Sequence, residues 1–199
     1  MYFDDYIGSL PDGLDSYPEC RHKASFYLDF IEHVPVARRV KEFPEPLRYL
    51  VEKPAAPNAW LPEVHTNAFY MAVRDVVLRS DEELIRAMYD VNVRVLSTPL
   101  NRVMFMVATP ALLMAAGQGR WAAFHTGSRF LTKRRGREGT IEMTYPKNLF
   151  PRLMLQVYEQ VFQAVMDLSR EGAEVRLVSP GPHSAKFEVH WGTHRGAKT

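Results

Sequence analysis

Cys20 sits between Pro18-Glu19 and Arg21-His22. A cation and an imidazole beside a thiol are the residue types that lower a thiol pKa and make it a nucleophile. Neighbours in sequence rarely meet at attack geometry, so an incidental cysteine is the alternative. His65 follows Trp60-Leu61-Pro62-Glu63 by one helical turn and is the histidine best placed for a pocket. Its alternative is a partly exposed surface histidine. Cys20 or His65 would serve a small enzyme.

The other histidines are His22, His33, His125, His183, His190 and His194. Only His190 and His194 stand four apart, and that spacing aligns two ligands on a helix, not at a strand end. No metal site is expected. Asp75, Glu82, Glu83 and Asp90 fall on helical stretches, and none forms the isolated pair that acid–base catalysis requires. The run Lys133-Arg134-Arg135-Gly136-Arg137, with Arg129 nearby, could meet phosphates or an acidic protein. Its aromatic interleaving is poor, and solvated charge is the ordinary expectation at a hairpin turn. Gly117-x-Gly119 lacks the third glycine and preceding strand of a dinucleotide site.

These residues need elements to hold them. Residues 1–18 mix acids, glycines and prolines without period and read as a flexible lead-in. Phe26, Tyr27, Phe30 and Ile31 give a short helix over Ala24–His33. Pro62 opens a helix to about Leu78, and Ser80-Asp81-Glu82-Glu83 is a capping box for the next. A helix is expected from Pro99 to Val107, broken or kinked at Pro110, with the apolar run ending at Gly117. The period then changes to two. Ile141, Met143 and Tyr145 alternate with polar residues, as do Ala185, Phe187, Val189 and Trp191. Gly136 and Gly139 mark one hairpin turn and Ser179-Pro180-Gly181-Pro182 a second. Between the hairpins, Leu149–Ser169 is a helix with Phe150, Met154, Val157, Val161, Val165 and Leu168 on one stripe.

The pattern predicts an α+β fold: a helical N-terminal part packed on a C-terminal antiparallel sheet of two hairpins, with a long covering helix. Residues 19–191 form one domain, mainly helical over 19–120 and ββαββ over 121–191, and 192–199 is a flexible basic tail. Ile141, Phe162, Phe187 and Trp191 should be buried. His65, Met104, Met114, Met154, Tyr158 and Phe162 are the candidate lining of a helix–sheet pocket, since methionine adapts to greasy ligands; plain core packing is the alternative.

The chain has 199 residues, 46% hydrophobic, with net charge +2. Residues 117–199 carry 13 basic and 7 acidic residues, a balance of +6, against 12 and 16, or −4, before them. The acidic N-terminus does not read as a signal peptide, no membrane span is expected, and one cysteine suits a reducing cytoplasm.

Four features coincide: Trp60-Leu61-Pro62-Glu63 opening a helix, an apolar helical stretch ending in Trp121, a hairpin leading to Tyr145-Pro146 and Leu149-Phe150, and the strands Glu174–Val178 and Phe187-Glu188-Val189-His190-Trp191. This order resembles a bacterial family known mainly as expanded sets of paralogues in myxobacteria. More distantly it is similar to the superfamily of heme-NO-binding and vinyl-reductase-type ligand-binding domains. The resemblance implies a cytoplasmic sensory or regulatory role, with a homodimer or a protein partner, and brings no catalytic residues. Heme-binding relatives use an axial histidine and a Tyr-x-Ser-x-Arg clasp; that clasp is not in this sequence, so no cofactor is expected. The leading expectation is a non-catalytic module binding a small apolar ligand or a protein. The alternative is an electrostatic adaptor engaging nucleic acid or an acidic protein through 129–137.

Overall fold

A computed structural model describes residues 1–98, 105 and 107–192. The described chain is α+β, as the sequence pattern predicts. Its first part is helical: α1 (Tyr2–Gly8), strand β1 (Arg21–Lys23), α2 (Ser25–His33), two 3-10 turns, α3 (Tyr49–Glu52), strand β2 (Trp60–Pro62), α4 (Glu63–Val73) and α5 (Asp81–Leu96). Helix α6 (Pro110–Phe124) leads to hairpin β3 (Arg129–Arg135) and β4 (Glu138–Thr144). Then come α7 (Arg152–Asp167), β5 (Glu174–Pro180) and β6 (Ser184–His190). The large sheet runs β3-β4-β6-β5, antiparallel throughout, and β1-β2 form a small second sheet.

Alternation decides the faces of the large sheet. Phe130, Ile141, Met143, Ala185, Phe187 and Val189 point inward and are buried. Lys133 pairs with Glu142 on the outer face at 2.8 Å. Helix α7 crosses the inner face between β5 and α5. Its side chains also satisfy the free edge of β5: Gln163 Oε1 accepts from the Val175 amide and Glu159 Oε1 from the Leu177 amide, each at 2.8 Å. That covers an edge that would otherwise present unpaired donors.

Several boundaries differ from the sequence reading. The segment read as a flexible lead-in holds α1, whose Tyr6 is buried and donates from its hydroxyl to Leu149 O at 2.8 Å. The anchor is tertiary and leaves no local period. Gly139 is in β4 rather than in the turn, opposite Arg134. A Cβ there would meet Met114 Cε at 2.7 Å, so the glycine makes room for α6. Helix α6 does not stop at Gly117: Pro110 starts it, behind a Thr109 cap, and it continues to Phe124. A Gly117 Cβ would lie 3.1–3.2 Å from Phe130 and Thr132, so this glycine serves close packing on β3. Ser80 does cap α5, accepting from the Glu83 amide at 3.1 Å. Met104, and most of the helix expected from Pro99 to Val107, lie outside the described residues.

Candidate functional site

The distinctive site is polar and buried where the helical part meets the sheet. Pro62 leaves β2 in extended conformation and caps α4, which places Glu63 in the first helical turn. The Glu63 amide donates to Cys20 O at 2.8 Å, tying it to the chain entering β1. Across β1, His125 bridges to His22, and Thr126 N donates to Arg21 O at 2.9 Å. Three short segments therefore bring His22, Glu63 and His125 together from far apart in the chain.

Glu63 is wholly inaccessible, and His22 and His125 are each only 5% exposed. His125 Nδ1 lies 2.9 Å from Glu63 Oε2, while His22 Nδ1 stands 3.8 Å from Oε1. The Tyr158 hydroxyl reaches Oε1 at 3.5 Å from α7. Thr66 donates to Glu63 O at 2.9 Å and lies 3.4 Å from His22 Nδ1. Among the described residues, His22 Nε2 and the Tyr70 hydroxyl are buried without a hydrogen-bond partner. Such atoms are uncommon in folded interiors because desolvation goes uncompensated.

Rings enclose this cluster. Trp121 stacks on His125 at 3.7 Å and 6°, His22 stacks on the same imidazole at 4.5 Å and 13°, and Phe130 stacks on Trp121. Burial, with no cation facing the group, disfavours charge: the Glu63 carboxyl is pushed up to about 7 and both imidazoles down to about 3. The arrangement has the groups to hold a proton; it does not suit a metal. Stacked imidazoles carry their nitrogen lone pairs in near-parallel planes, which cannot converge on one ion. Among the described residues no group of three or more His, Cys, Asp or Glu is set to hold one.

The sequence candidates fall elsewhere. Cys20 is buried, with its thiol pushed up to about 12 by desolvation, the opposite of an activated nucleophile. His22 Nδ1 meets Thr66 and Glu63. His65 faces Tyr49, whose hydroxyl is 2.7 Å from its Nδ1, and does not meet the pocket set. Met114, Met154 and Tyr158 are buried and Phe162 partly so, but in packed surroundings. Phe162 meets Phe130, Tyr158 and Phe187, and Tyr158 meets Phe150 and Trp121, so rings fill the gap between α7 and the sheet.

The depressions that stand out are at the surface. One of about 300 Å³ lies on the outer sheet face among Lys133, Arg135, Glu138, Glu188 and His190. A notch of about 140 Å³ lies between α6 and β3, beside Ala115 and Thr132. Cations of the outer face thus share it with acids: Lys133 with Glu142, and Arg135 with Glu138 and Glu188. Arg137 bonds Gly192 O at 3.2 Å, and Arg129 is exposed. A mixed-sign face is a weaker phosphate reader than the bare sequence run.

No family model and no curated protein matches the sequence. Solved structures match its shape. An iron(II) unliganded H-NOX protein variant from K. algicida superposes with TM-score 0.60 at 10% identity, covering 87% of this chain and 98% of that one. A structure from work on heme distortion in the H-NOX family gives 0.59 at 11%, covering 89% and 98%. An oxygen-binding H-NOX domain related to soluble guanylate cyclases gives 0.57 at 11%, covering 85% and 94%. At such identities the likeness is one of architecture, and the chain has an H-NOX-like α+β fold.

Proposed function

We propose that this chain is a non-catalytic regulatory module of H-NOX-like fold that works without heme and reports to a protein partner. One observation carries the reading: the sealed Glu63–His125–His22–Tyr158 cluster occupies the seam between the helical part and the sheet. Its members come from β1, α4, the end of α6 and α7. A change at the cluster therefore bears on how those elements dock, which is the physical content of a population shift.

Heme does not fit the described residues. A porphyrin needs an open slot and a free axial nitrogen facing it. Here the interior gap is filled by rings in mutual contact, and both buried imidazoles lie face to face with other rings. The same filling disfavours a sizeable apolar ligand and leaves the protein partner as the better reading. The outward side of α6 supports it. This helix has no acidic residue and exposes Leu112, Ala115, Ala116, Ala122 and Ala123, an apolar face that a protein contact would cover.

No helix among the described residues is long and apolar enough to cross a membrane. A cytoplasmic setting suits the lone cysteine. Adding hemin to the purified protein and comparing native with denatured masses tests the reading. The expected result is no saturable heme absorbance and no mass lost on denaturation. A stoichiometric heme, or another small molecule released on unfolding, would overturn the cofactor-free reading.

A further inference from the structure

Whatever its partner, a regulatory module needs an input, and the cluster at the seam has the form of one. We propose that Glu63, with His125, His22 and Tyr158 around it, is a buried proton-binding site whose occupancy is tied to the tautomer of His125 and to the approach of β1 to α4. The proposal rests on the regulatory reading for its purpose but not for its chemistry.

An ionised carboxylate accepts only, whereas a protonated one also has a donor. Glu63 is met at bonding distance by one good group, His125 Nδ1 at 2.9 Å, and by the Tyr158 hydroxyl at 3.5 Å. His22 Nδ1 at 3.8 Å is too far for a full bond. The groups facing Glu63 are His22 from β1, His125 from the end of α6, Tyr158 from α7 and Tyr70 from its own helix. Tyr6 of α1 and Cys20 complete the set. Among the described residues none of these is a lysine or arginine, so a negative charge here has no fixed counter-ion. Both imidazoles are held neutral well below neutrality, leaving Glu63 as the group that exchanges a proton around pH 7.

Each protonation state then dictates its surroundings. With the proton on Glu63, its O–H donates to His125 Nδ1, and the imidazole keeps its own proton on Nε2. When Glu63 releases the proton to solvent, the carboxylate needs donors, so the His125 proton must move to Nδ1. Tyr158 already reaches Oε1 at 3.5 Å; closing the 3.8 Å gap to His22 Nδ1 adds a further donor, and it draws β1 toward α4. His22 has slack for it, since its Nε2 is bonded to nothing and its Thr66 contact is long at 3.4 Å.

The experiment is carboxyl NMR on protein labelled with ¹³C at the glutamate side chain, with ¹⁵N-labelled histidine in parallel, as pH rises from about 3.5 to about 9. One glutamate resonance should titrate near neutrality while the others titrate in the ordinary carboxylate range. One buried histidine should exchange its Nε2–H pattern for Nδ1–H with the same midpoint. Both signals should vanish in Glu63→Gln. Because that variant could fail to fold, the wild-type titration stands alone: if every glutamate titrates in the ordinary range, or no histidine changes tautomer, the proposal is overturned. Neither readout involves heme or a partner. A heme-loaded protein with a neutral-range Glu63 would sink the regulatory reading and leave the proton site standing, and the converse holds.

Discussion

Trp121 lies flat against His125, with centroids 3.7 Å apart and planes within 6°, and its indole N–H donates to Ser128 Oγ at 3.0 Å. The indole is the lid of the polar cluster and part of the core at once. Trp121→Ala opens a cavity over the imidazole and should cost roughly 3–5 kcal/mol. Trp121→Phe keeps a ring there and loses mainly the Ser128 bond, near 1 kcal/mol. Urea melts of both variants check the difference; equal losses would mean that the stack contributes nothing.

Glu63 binds its proton more tightly folded than unfolded, about 7 against 4.5. Its contribution to stability is therefore complete below the ordinary carboxylate value and is lost as pH rises to about 7. Glu63→Gln, locked neutral, should gain on the wild type across that window by up to about 3 kcal/mol and hold a constant difference above it. Paired melts over pH measure this directly. A difference that does not change with pH would show that Glu63 binds its proton equally well folded and unfolded.

The two imidazoles work in the opposite sense. Their folded values near 3 lie below the ordinary 6.5, so the unfolded chain takes up protons first. The stability they allow is complete above pH 6.5 and drains away as pH falls toward 3. Substituting His125 by glutamine, which does not titrate, should reduce the acid slope by about one proton. The slope of melting free energy against pH is the readout.

Cys20 should be inert to a soluble disulfide reagent in the native protein and react at once in denaturant. Burial both blocks access and raises the thiol to about 12. Rapid native labelling would mean that the segment entering β1 opens readily.

How far the sequence could be read depended on how local the cause was. The two hairpins and their covering helix were visible because alternation and amphipathic spacing are written residue by residue: Ile141, Met143, Phe187 and Val189 all face inward as expected. Helix α1 was not visible, since Tyr6 is held by Leu149, far along the chain. Gly117 reads as the end of an apolar run and Gly139 as part of a hairpin turn, because the approach of α6 to β3 and β4 that requires both leaves no local mark. The cluster escaped for the same reason. Strand β1 has three residues, too few for a period, and Glu63 falls in the first turn of α4, where an acid is ordinary. His22 was weighed against its neighbour Cys20 rather than against Thr66 and His125. Glu63, the single acid of α4 and set beside Val64 and Ala68, is the one available signal.

Gly127 gives the sharpest structural test of how the cluster is assembled. Its φ is +72°, and an added Cβ would stand 2.4 Å from Cys20 Sγ and 2.8 Å from Cys20 Cα. The sulfur contact could be relieved by a smaller side chain, but the backbone contact could not. Gly127→Ala combines left-handed strain with overpacking and should cost roughly 2–5 kcal/mol. Adding Cys20→Ala should recover only a minor part, because the Cα stays where it is. The same clash pushes the His125–Thr126 segment off β1, so the surviving folded protein should lose the His125–Glu63 bond and return the Glu63 midpoint toward the ordinary range. A double-mutant cycle gives the coupling, and the carboxyl titration gives the midpoint. Full rescue by Cys20→Ala would place the constraint in the side chain rather than in the backbone that seats the site.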